Sequence, residues 1–117
     1  MMQNEALQNL MQELRRGTLV IGVLSQLHKA EYGYSLVQKL NDRGMAIDQG
    51  TLYPLLRRLE KQNLLESSWE VEEPRPRRYY QLSDTGREAL EALKSEWTEL
   101  VKTMNLMLSP ESEEEQP

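Results

Sequence analysis

Apolar residues near the start of the chain recur three or four positions apart, as they do along one face of a helix. Residues 4–15 carry such a stripe, which predicts an amphipathic helix that Gly17 ends or bends. Residues 18–28 are apolar on nearly every side, and a run of this length fits either a buried helix or a strand. Thr18 as a cap and the polar pair at 25–26 favour the helix.

Two shorter segments with helical periodicity follow. A turn around Gly33 leads into a short helix within residues 34–44. Asp48 is a suitable N-cap for a second helix over residues 49–62. Asn63 tolerates the left-handed conformation in which helices often end, so we expect the second helix to stop there.

The pattern then changes to the alternation that is typical of strands. Residues 64–71 and 77–82 alternate on either side of the proline-containing stretch "EEPRP", which predicts a β-hairpin with a charged tip. Ser83 is an N-cap candidate for a long helix whose apolar positions form a seam for a partner helix.

This order of elements is that of a winged helix-turn-helix protein, so the expected fold class is mainly α (α+β). We assign residues 1–16 to an N-terminal dimerisation helix and residues 17–82 to the winged helix-turn-helix domain. Residues 83–108 form a C-terminal dimerisation helix, and residues 109–117 a disordered acidic tail. The two outer helices carry more apolar surface than a chain of 117 residues can cover alone, so we expect a homodimer.

Charge and composition narrow the function classes. The net charge is −5, but four glutamates lie in the last seven residues, and 15 acidic against 14 basic residues give −1 for residues 1–110. Because the basic residues are locally clustered, a phosphate backbone is a suitable partner. The absence of cysteine fits a cytoplasmic protein, and we expect neither a signal peptide nor a membrane span, since the required apolar runs are missing.

The helix over residues 49–62 turns its leucines inward and presents different chemistry outside. A recognition helix offers its N-terminal residues to base edges in the major groove. Gly50 permits a close approach and also lowers the strain that Pro54 places on the carbonyl four residues earlier, although both also fit a merely tight, kinked helix start. We expect DNA contacts from Gln49, Gly50, Thr51, Tyr53, Pro54, Arg57 and Arg58, and a phosphate contact from Tyr34.

The predicted wing adds further basic residues. Arg75 and Arg77 flank its tip and are expected to hold phosphate or to enter the minor groove; the alternative is a solvated hairpin whose arginines pair with neighbouring glutamates. Arg78 also flanks the tip, but it equally fits the inward side of the hairpin together with Tyr80, so Arg75 and Arg77 are the better candidates. Tyr79 and Tyr80 are more typical of a core than of base stacking.

Three motifs resemble the short subfamily of the PadR family of transcriptional regulators: "GYSLVQKLN", "GTLYPLLRRLE" and "PRRYYQLSDTG", followed by a long helix that contains Trp97. The resemblance covers about residues 17–105. It implies a winged-helix dimer that represses transcription, with the C-terminal and N-terminal helices forming the interface. Members often respond to small phenolic or cationic hydrophobic compounds, and some regulate multidrug transporters. The chain departs from the family in having Asn63 in place of the usual glycine, an acid-bearing wing and an acidic tail.

The seam of the long helix is expected to serve both dimerisation and ligand binding. The expected interface residues are Leu7, Leu10, Leu14, Leu90, Leu93, Trp97, Leu100 and Met104. Trp97 is either a tryptophan of the dimer core or the wall of a pocket for a planar aromatic or cationic hydrophobic effector. In the second case Met104 and Met11 would be adaptable neighbours.

Catalytic chemistry is not indicated. His28 is the only histidine and the chain has no cysteine, so we expect no metal site, no cofactor and no enzyme activity. The chain is therefore interpreted as a DNA-binding, ligand-responsive repressor that binds a pseudo-palindromic operator as a homodimer. The alternative is a winged-helix module for protein–protein contacts without sequence-specific DNA binding. The salt dependence of duplex binding discriminates between the two.

Overall fold

The computed structural model describes residues 4–71 and 74–110, which form four helices and a three-stranded antiparallel sheet. The elements are α1 Asn4–Ser25, β1 Glu31–Tyr32, α2 Gly33–Asp42, α3 Gln49–Lys61, β2 Leu65–Glu70, β3 Arg77–Leu82 and α4 Asp84–Leu108. This confirms the predicted winged helix-turn-helix, in which α2 and α3 form the helical pair and β2 and β3 form the wing. From residue 111 onward, the tail predicted to be disordered lies outside the described residues.

A single helix, α1, runs through Gly17, so the prediction of two N-terminal helices divided there is wrong. The hydroxyl of Thr18 donates to the carbonyl oxygen of Arg15 at 2.7 Å, as side chains inside a helix do, and does not cap a new one. Val23 and Leu24 are fully buried and hold the second half of the helix in the core. Their packing outweighs the cost of a helical glycine, which is about 1 kcal/mol.

The two-residue strand β1 was predicted as part of a turn. Glu31 and Tyr32 pair antiparallel with Tyr80 and Tyr79 of β3, which is therefore the central strand of the sheet. The predicted hairpin is confirmed, with a register that runs from Leu65 opposite Leu82 to Glu70 opposite Arg77.

The core lies where the second half of α1, the helices α2 and α3 and the start of α4 meet the sheet. Its buried members are Val23, Leu24, Leu27, Leu36, Leu40, Leu52, Leu56, Leu59, Leu65, Tyr80, Leu82 and Leu90. Tyr80 thus occupies the core, as predicted. Leu90 was predicted at the dimer interface, but it is 1% exposed within the single chain, and a second copy has nothing there to cover.

The predicted N-caps of α3 and α4 are confirmed, unlike the one predicted at Thr18. The side chain of Asp48 accepts a hydrogen bond from the backbone N–H of Thr51 at 2.8 Å, and the hydroxyl of Ser83 accepts one from the N–H of Gly86 at 2.9 Å. Asn63 has a φ of 64°, which is the left-handed conformation that ends α3. These caps fix where α3 and α4 begin relative to the sheet.

Gly86 makes the contact that brings α4 onto the turn after α3. A Cβ at this position would lie 2.0 Å from the carbonyl oxygen of Leu64. That oxygen also accepts a hydrogen bond from the backbone N–H of Ser83 at 3.1 Å. Only glycine therefore fits without displacing the helix.

Candidate nucleic-acid interface

One side of α3 is buried and the other is exposed. Leu52, Leu56 and Leu59 point into the core, and because a helix turns by about 100° per residue, the opposite side faces away from the protein. The exposed residues of the helix are Gln49, Gly50, Thr51, Pro54, Arg57, Arg58 and Lys61. Six of these were predicted as DNA contacts. Lys61 was missed, although it continues the basic cluster of the sequence.

This exposed face has two edges. Thr51, Pro54 and Arg58 border a groove along α1, whereas Tyr53 and Arg57 border the wing. A partner that lies along α3 therefore meets a cation on either side, which is an arrangement suited to two phosphate strands flanking a groove.

Packing within the chain does not explain Gly50. Outside its own stretch of helix, a Cβ there would meet only one atom of the described residues, Oδ1 of Asp48, at the ordinary contact distance of 3.5 Å. Pro54 lies inside α3 and cannot donate a hydrogen bond to the Gly50 carbonyl. The remaining reasons for the glycine are relief of strain beside the proline ring and close approach of a partner from outside.

Tyr53 is not part of the fully exposed face. Its ring is partly buried against the core and lies over Gly33 at the start of α2, where a Cβ would come within 2.3 Å of the ring atom Cε1. The glycine thus makes room for the tyrosine at the contact between the two helices. Because the ring is held there, the predicted role of Tyr53 in reading bases is restricted to its outer edge.

Tyr34 and Arg77, both predicted to contact DNA, are joined through the ring of Tyr32. The rings of Tyr32 and Tyr34 are stacked with centroids 6.5 Å apart, and Arg77 places its guanidinium carbon 4.5 Å from the centre of the Tyr32 ring. Gln38 donates a hydrogen bond to the exposed Tyr34 hydroxyl at 3.0 Å. This row of side chains connects the start of α2 with the start of β3.

Arg78 lies on the inner side of the hairpin with Tyr80, which is one of its two predicted positions, and its guanidinium carbon is 5.4 Å from the Tyr80 ring centre. Its Nη2 atom lies 2.7 Å from Oε1 of Glu60 and 3.1 Å from the hydroxyl of Ser67, and that hydroxyl donates to the second oxygen of Glu60. The three side chains join the last turn of α3 to both strands of the wing. This network has no local signal in the sequence, because its members lie far apart along the chain.

A second ion pair braces β1 against α2. Glu31 accepts a hydrogen bond from the hydroxyl of Ser35 at 2.9 Å and pairs with the Lys39 ammonium at 2.7 Å. Burial alone would raise the pKa of Glu31, but the hydrogen bonds from Lys39 and Ser35 and the charge of Lys39 together lower that pKa below its ordinary value of 4.5. Burial also raises the pKa of Tyr80.

Arg75 is exposed at the wing tip beside residues 72–73, which are not described.

Helices α1 and α4 leave a wide apolar face uncovered. Of the predicted interface residues, Leu7, Leu10, Leu14, Trp97, Leu100 and Met104 are exposed, and Leu93 is partly buried against the core. A cleft of about 580 Å³ runs between the two helices, and Trp97 and Met104 line it together with Leu14, Leu93 and Leu100. Met11, the third predicted effector residue, is exposed nearby but is not among the lining residues.

The described residues include neither a metal-binding group nor a membrane-spanning helix. Residues 4–71 and 74–110 contain no group of three histidine, cysteine or acidic side chains arranged to hold a metal ion. Within those ranges, no helix combines the length and the hydropathy that a bilayer span requires.

The known proteins that this chain resembles are transcriptional regulators. Residues 20–92 match the model of a family described as the transcriptional regulator PadR-like family. The crystal structure of a PadR family transcriptional regulator from Eggerthella lenta is similar, with 43% sequence identity and a TM-score of 0.85 over 92% of this chain and 96% of that one. A transcriptional regulator of Mycobacterium tuberculosis is 38% identical over 81 residues, which are 68% of this chain and 76% of its own. Bacillus subtilis PadR in complex with operator DNA is only 18% identical and shares the fold, with a TM-score of 0.60 over 65% of this chain and 46% of that one.

Proposed function

The chain belongs to the PadR-like family of transcriptional regulators, and we propose that it is a ligand-responsive repressor that binds a pseudo-palindromic operator as a homodimer. Its family is one of regulators and not of enzymes. The exposed face of α3 carries the proposal, because that face combines polar side chains at the helix start with a cluster of cations. Bacillus subtilis PadR, which shares the fold, was solved with operator DNA.

In this proposal, α3 enters the major groove with its first turns. Gln49 and Thr51 read base edges, because they are exposed at the helix start and carry hydrogen-bonding side chains. Arg57 and Arg58 hold the phosphates on either side, and Arg75 holds a phosphate from the wing tip.

A homodimer is supported by the apolar surface that a single chain leaves in water. Leu14 on α1 is 73% exposed and Leu100 on α4 is 48% exposed. Contiguous exposed apolar patches of this kind mark interaction surfaces in soluble proteins. A two-fold dimer built on this face would have to set its two α3 helices about 34 Å apart, or a multiple of that, to enter successive major grooves.

We place the effector site in the cleft between α1 and α4. Trp97 is 46% exposed and forms one wall of this apolar cleft, with Met104 beside it. An indole face suits a flat aromatic or a cationic hydrophobic molecule, and methionine adapts to different shapes. A ligand there would change DNA affinity through α4, by an amount that is typically about 5- to 150-fold.

The test of DNA binding is a titration of the full chain with operator and with unrelated duplexes at several salt concentrations. We expect the affinity for DNA to fall steeply as the salt concentration rises, because basic side chains that bind phosphates release the counterions condensed on the DNA. Arg75→Ala should weaken binding to all duplexes alike and should reduce the slope of log affinity against log salt concentration by about 1. Gln49→Ala should instead change the sequence preference. Absence of duplex binding at low salt would refute the proposal and support the alternative of a module for protein contacts.

The effector site is tested by tryptophan fluorescence. The chain has only two tryptophans, so in a Trp69→Phe background Trp97 alone reports. Planar aromatic compounds should quench it, and the same compounds should release operator DNA from the unsubstituted chain. If a broad panel of planar phenolic and cationic compounds did neither, Trp97 would be assigned to the dimer core alone.

A further inference from the structure

Trp69 is exposed where its neighbours on the same face of the strand are not. It lies on β2 two pleats beyond Leu65, and because side chains alternate along a strand, both point to the side of the sheet that faces α3. Leu65 is buried, yet Trp69 is 61% exposed. Directly opposite on β3, Arg78 holds its guanidinium carbon 5.9 Å from the centre of an indole ring. The indole is therefore held beside a cation with much of its surface in water.

The indole forms part of a cleft between α3 and the wing, which we call the α3–wing cleft. The cleft has a volume of about 330 Å³, and its lining residues are Tyr32, Gly33, Tyr53, Arg57, Trp69, Arg77, Arg78 and Tyr80. Its walls thus combine guanidinium groups with aromatic rings. Such a combination suits a ligand that joins an anionic group to an apolar, ring-shaped one, as a phosphate joined to a sugar does.

We propose that the α3–wing cleft holds the phosphodiester strand that separates the major from the minor groove, and that Trp69 is a DNA contact. This rests on the proposed function. If α3 lies in the major groove and the wing reaches the adjacent minor groove, one strand of the duplex must pass through the gap between them, and that gap is the cleft. Trp69 packs its ring against a deoxyribose and donates its Nε1–H to a phosphate oxygen, while Arg57 supplies charge from the opposite wall.

The role of Arg78 in this site is to hold the indole. Glu60 pairs with its guanidinium at 2.7 Å, so the charge of Arg78 is largely compensated within the protein. Trp69 consequently contributes contact area and one hydrogen-bond donor without adding charge. This separates it from the arginines, whose contribution depends on salt.

The test uses the full chain with three substitutions and a duplex titration. Trp69→Ala should weaken binding about 10-fold on every duplex, as truncation of a large contact residue does, and should leave the salt slope unchanged. Trp69→Phe keeps a ring but loses the donor, so we expect a smaller loss of about 3-fold, the low end of the range for one hydrogen bond at an exposed position. Ser68→Ala is the matched control, because Ser68 is exposed, uncharged and adjacent to Trp69 on the opposite face of β2. The affinity of this variant for duplex DNA should not change.

A spectroscopic measurement separates contact from a structural role. Saturating duplex should shift the tryptophan emission of the unsubstituted chain to shorter wavelength, and Trp69→Phe should lack this shift. Unchanged affinity in Trp69→Ala, or a loss of affinity without any emission shift from Trp69, would overturn the inference while the proposed function stood. If the unsubstituted chain bound no duplex at all, the proposed function would fail and the inference with it.

Discussion

Changing Gly86 to alanine is expected to destabilise the protein, although the same change at Gly17 is expected to stabilise it. Both glycines lie inside helices, where alanine is favoured over glycine by about 1 kcal/mol. Their surroundings differ. A Cβ at Gly86 would lie 2.0 Å from the carbonyl oxygen of Leu64 and 3.2 Å from Cδ2 of Leu82, whereas a Cβ at Gly17 would have no atom of the described residues within 4 Å outside its own stretch of helix.

The magnitude at Gly86 follows from how firmly the opposing carbonyl is held. The Leu64 oxygen accepts a hydrogen bond from the N–H of Ser83 at 3.1 Å, and the Ser83 hydroxyl accepts from Gly86 and donates to Asn63 at 2.6 Å. Relieving the clash requires a displacement of about 1 Å, which would break two of these bonds at about 1 kcal/mol each. Overpacking adds about 1–3 kcal/mol. After the helix propensity of alanine is subtracted, the net loss is about 2–4 kcal/mol.

The assay is thermal and urea unfolding followed by far-UV circular dichroism, at equal protein concentrations because the stability of a dimer depends on concentration. With about 4 °C per kcal/mol for a domain of this size, Gly86→Ala should lower Tm by about 8–16 °C and Gly17→Ala should raise it by about 2–4 °C. A small rise in Tm for both variants would refute the close contact between α4 and Leu64. Gly17 lines the cleft between α1 and α4, so a fall in Tm for Gly17→Ala would indicate that the partner chain of the proposed dimer packs against this position.

Three further outcomes are expected. Leu14→Glu combined with Leu100→Glu should convert the proposed dimer to a folded monomer, because both side chains are exposed on the apolar face; a stable wild-type monomer at micromolar concentration in sedimentation would contradict this. Glu60→Gln should lower the free energy of unfolding by about 1 kcal/mol, since it weakens the pair with Arg78, and urea unfolding measures this. Because the pKa of Glu31 is lowered on folding, its stabilisation is present above pH 4.5 and is lost as pH falls through the folded-state pKa. The stability difference between wild type and Glu31→Gln, below about 1 kcal/mol for a partly exposed pair, should therefore be constant near neutral pH and shrink in acid; a difference that persisted there would refute this.

Local signals predicted the helices well where a few neighbouring residues decide the outcome. The caps at Asp48 and Ser83 and the left-handed Asn63 each depend on one side chain and the backbone beside it. Gly17 misled the prediction because helix propensity weighs only the local chain, while the buried second half of α1 determines the outcome there. The strand β1 has two residues, and its partners on β3 lie far along the chain, so no local pattern marks it.

The candidate interface was predictable to the extent that it follows the helical period. The exposed face of α3 follows from the positions of the buried leucines. Tyr53 lies at the edge of that face, and whether it points outward depends on Gly33 in a different helix. The alternation of β2 gives the direction of Trp69, but its exposure depends on how far the wing extends beyond the core. Leu90 fits the period of the seam, and only the fold shows that the core of the chain already covers it.

Helix α4 connects the proposed ligand site with the elements that carry the proposed DNA-binding surface, and its first turn makes the contact with those elements. It packs on the turn that ends α3 and begins β2, through the contact between Gly86 and Leu64. About 16 Å further along the same helix, at 1.5 Å per residue, Trp97 lines the ligand cleft. The pair between Glu60 and Arg78 fastens α3 to the wing, so a ligand that tilts α4 would move both as one unit. For the proposed repressor, a ligand would therefore change the spacing between the two recognition helices of a dimer, and not the shape of either DNA-binding surface.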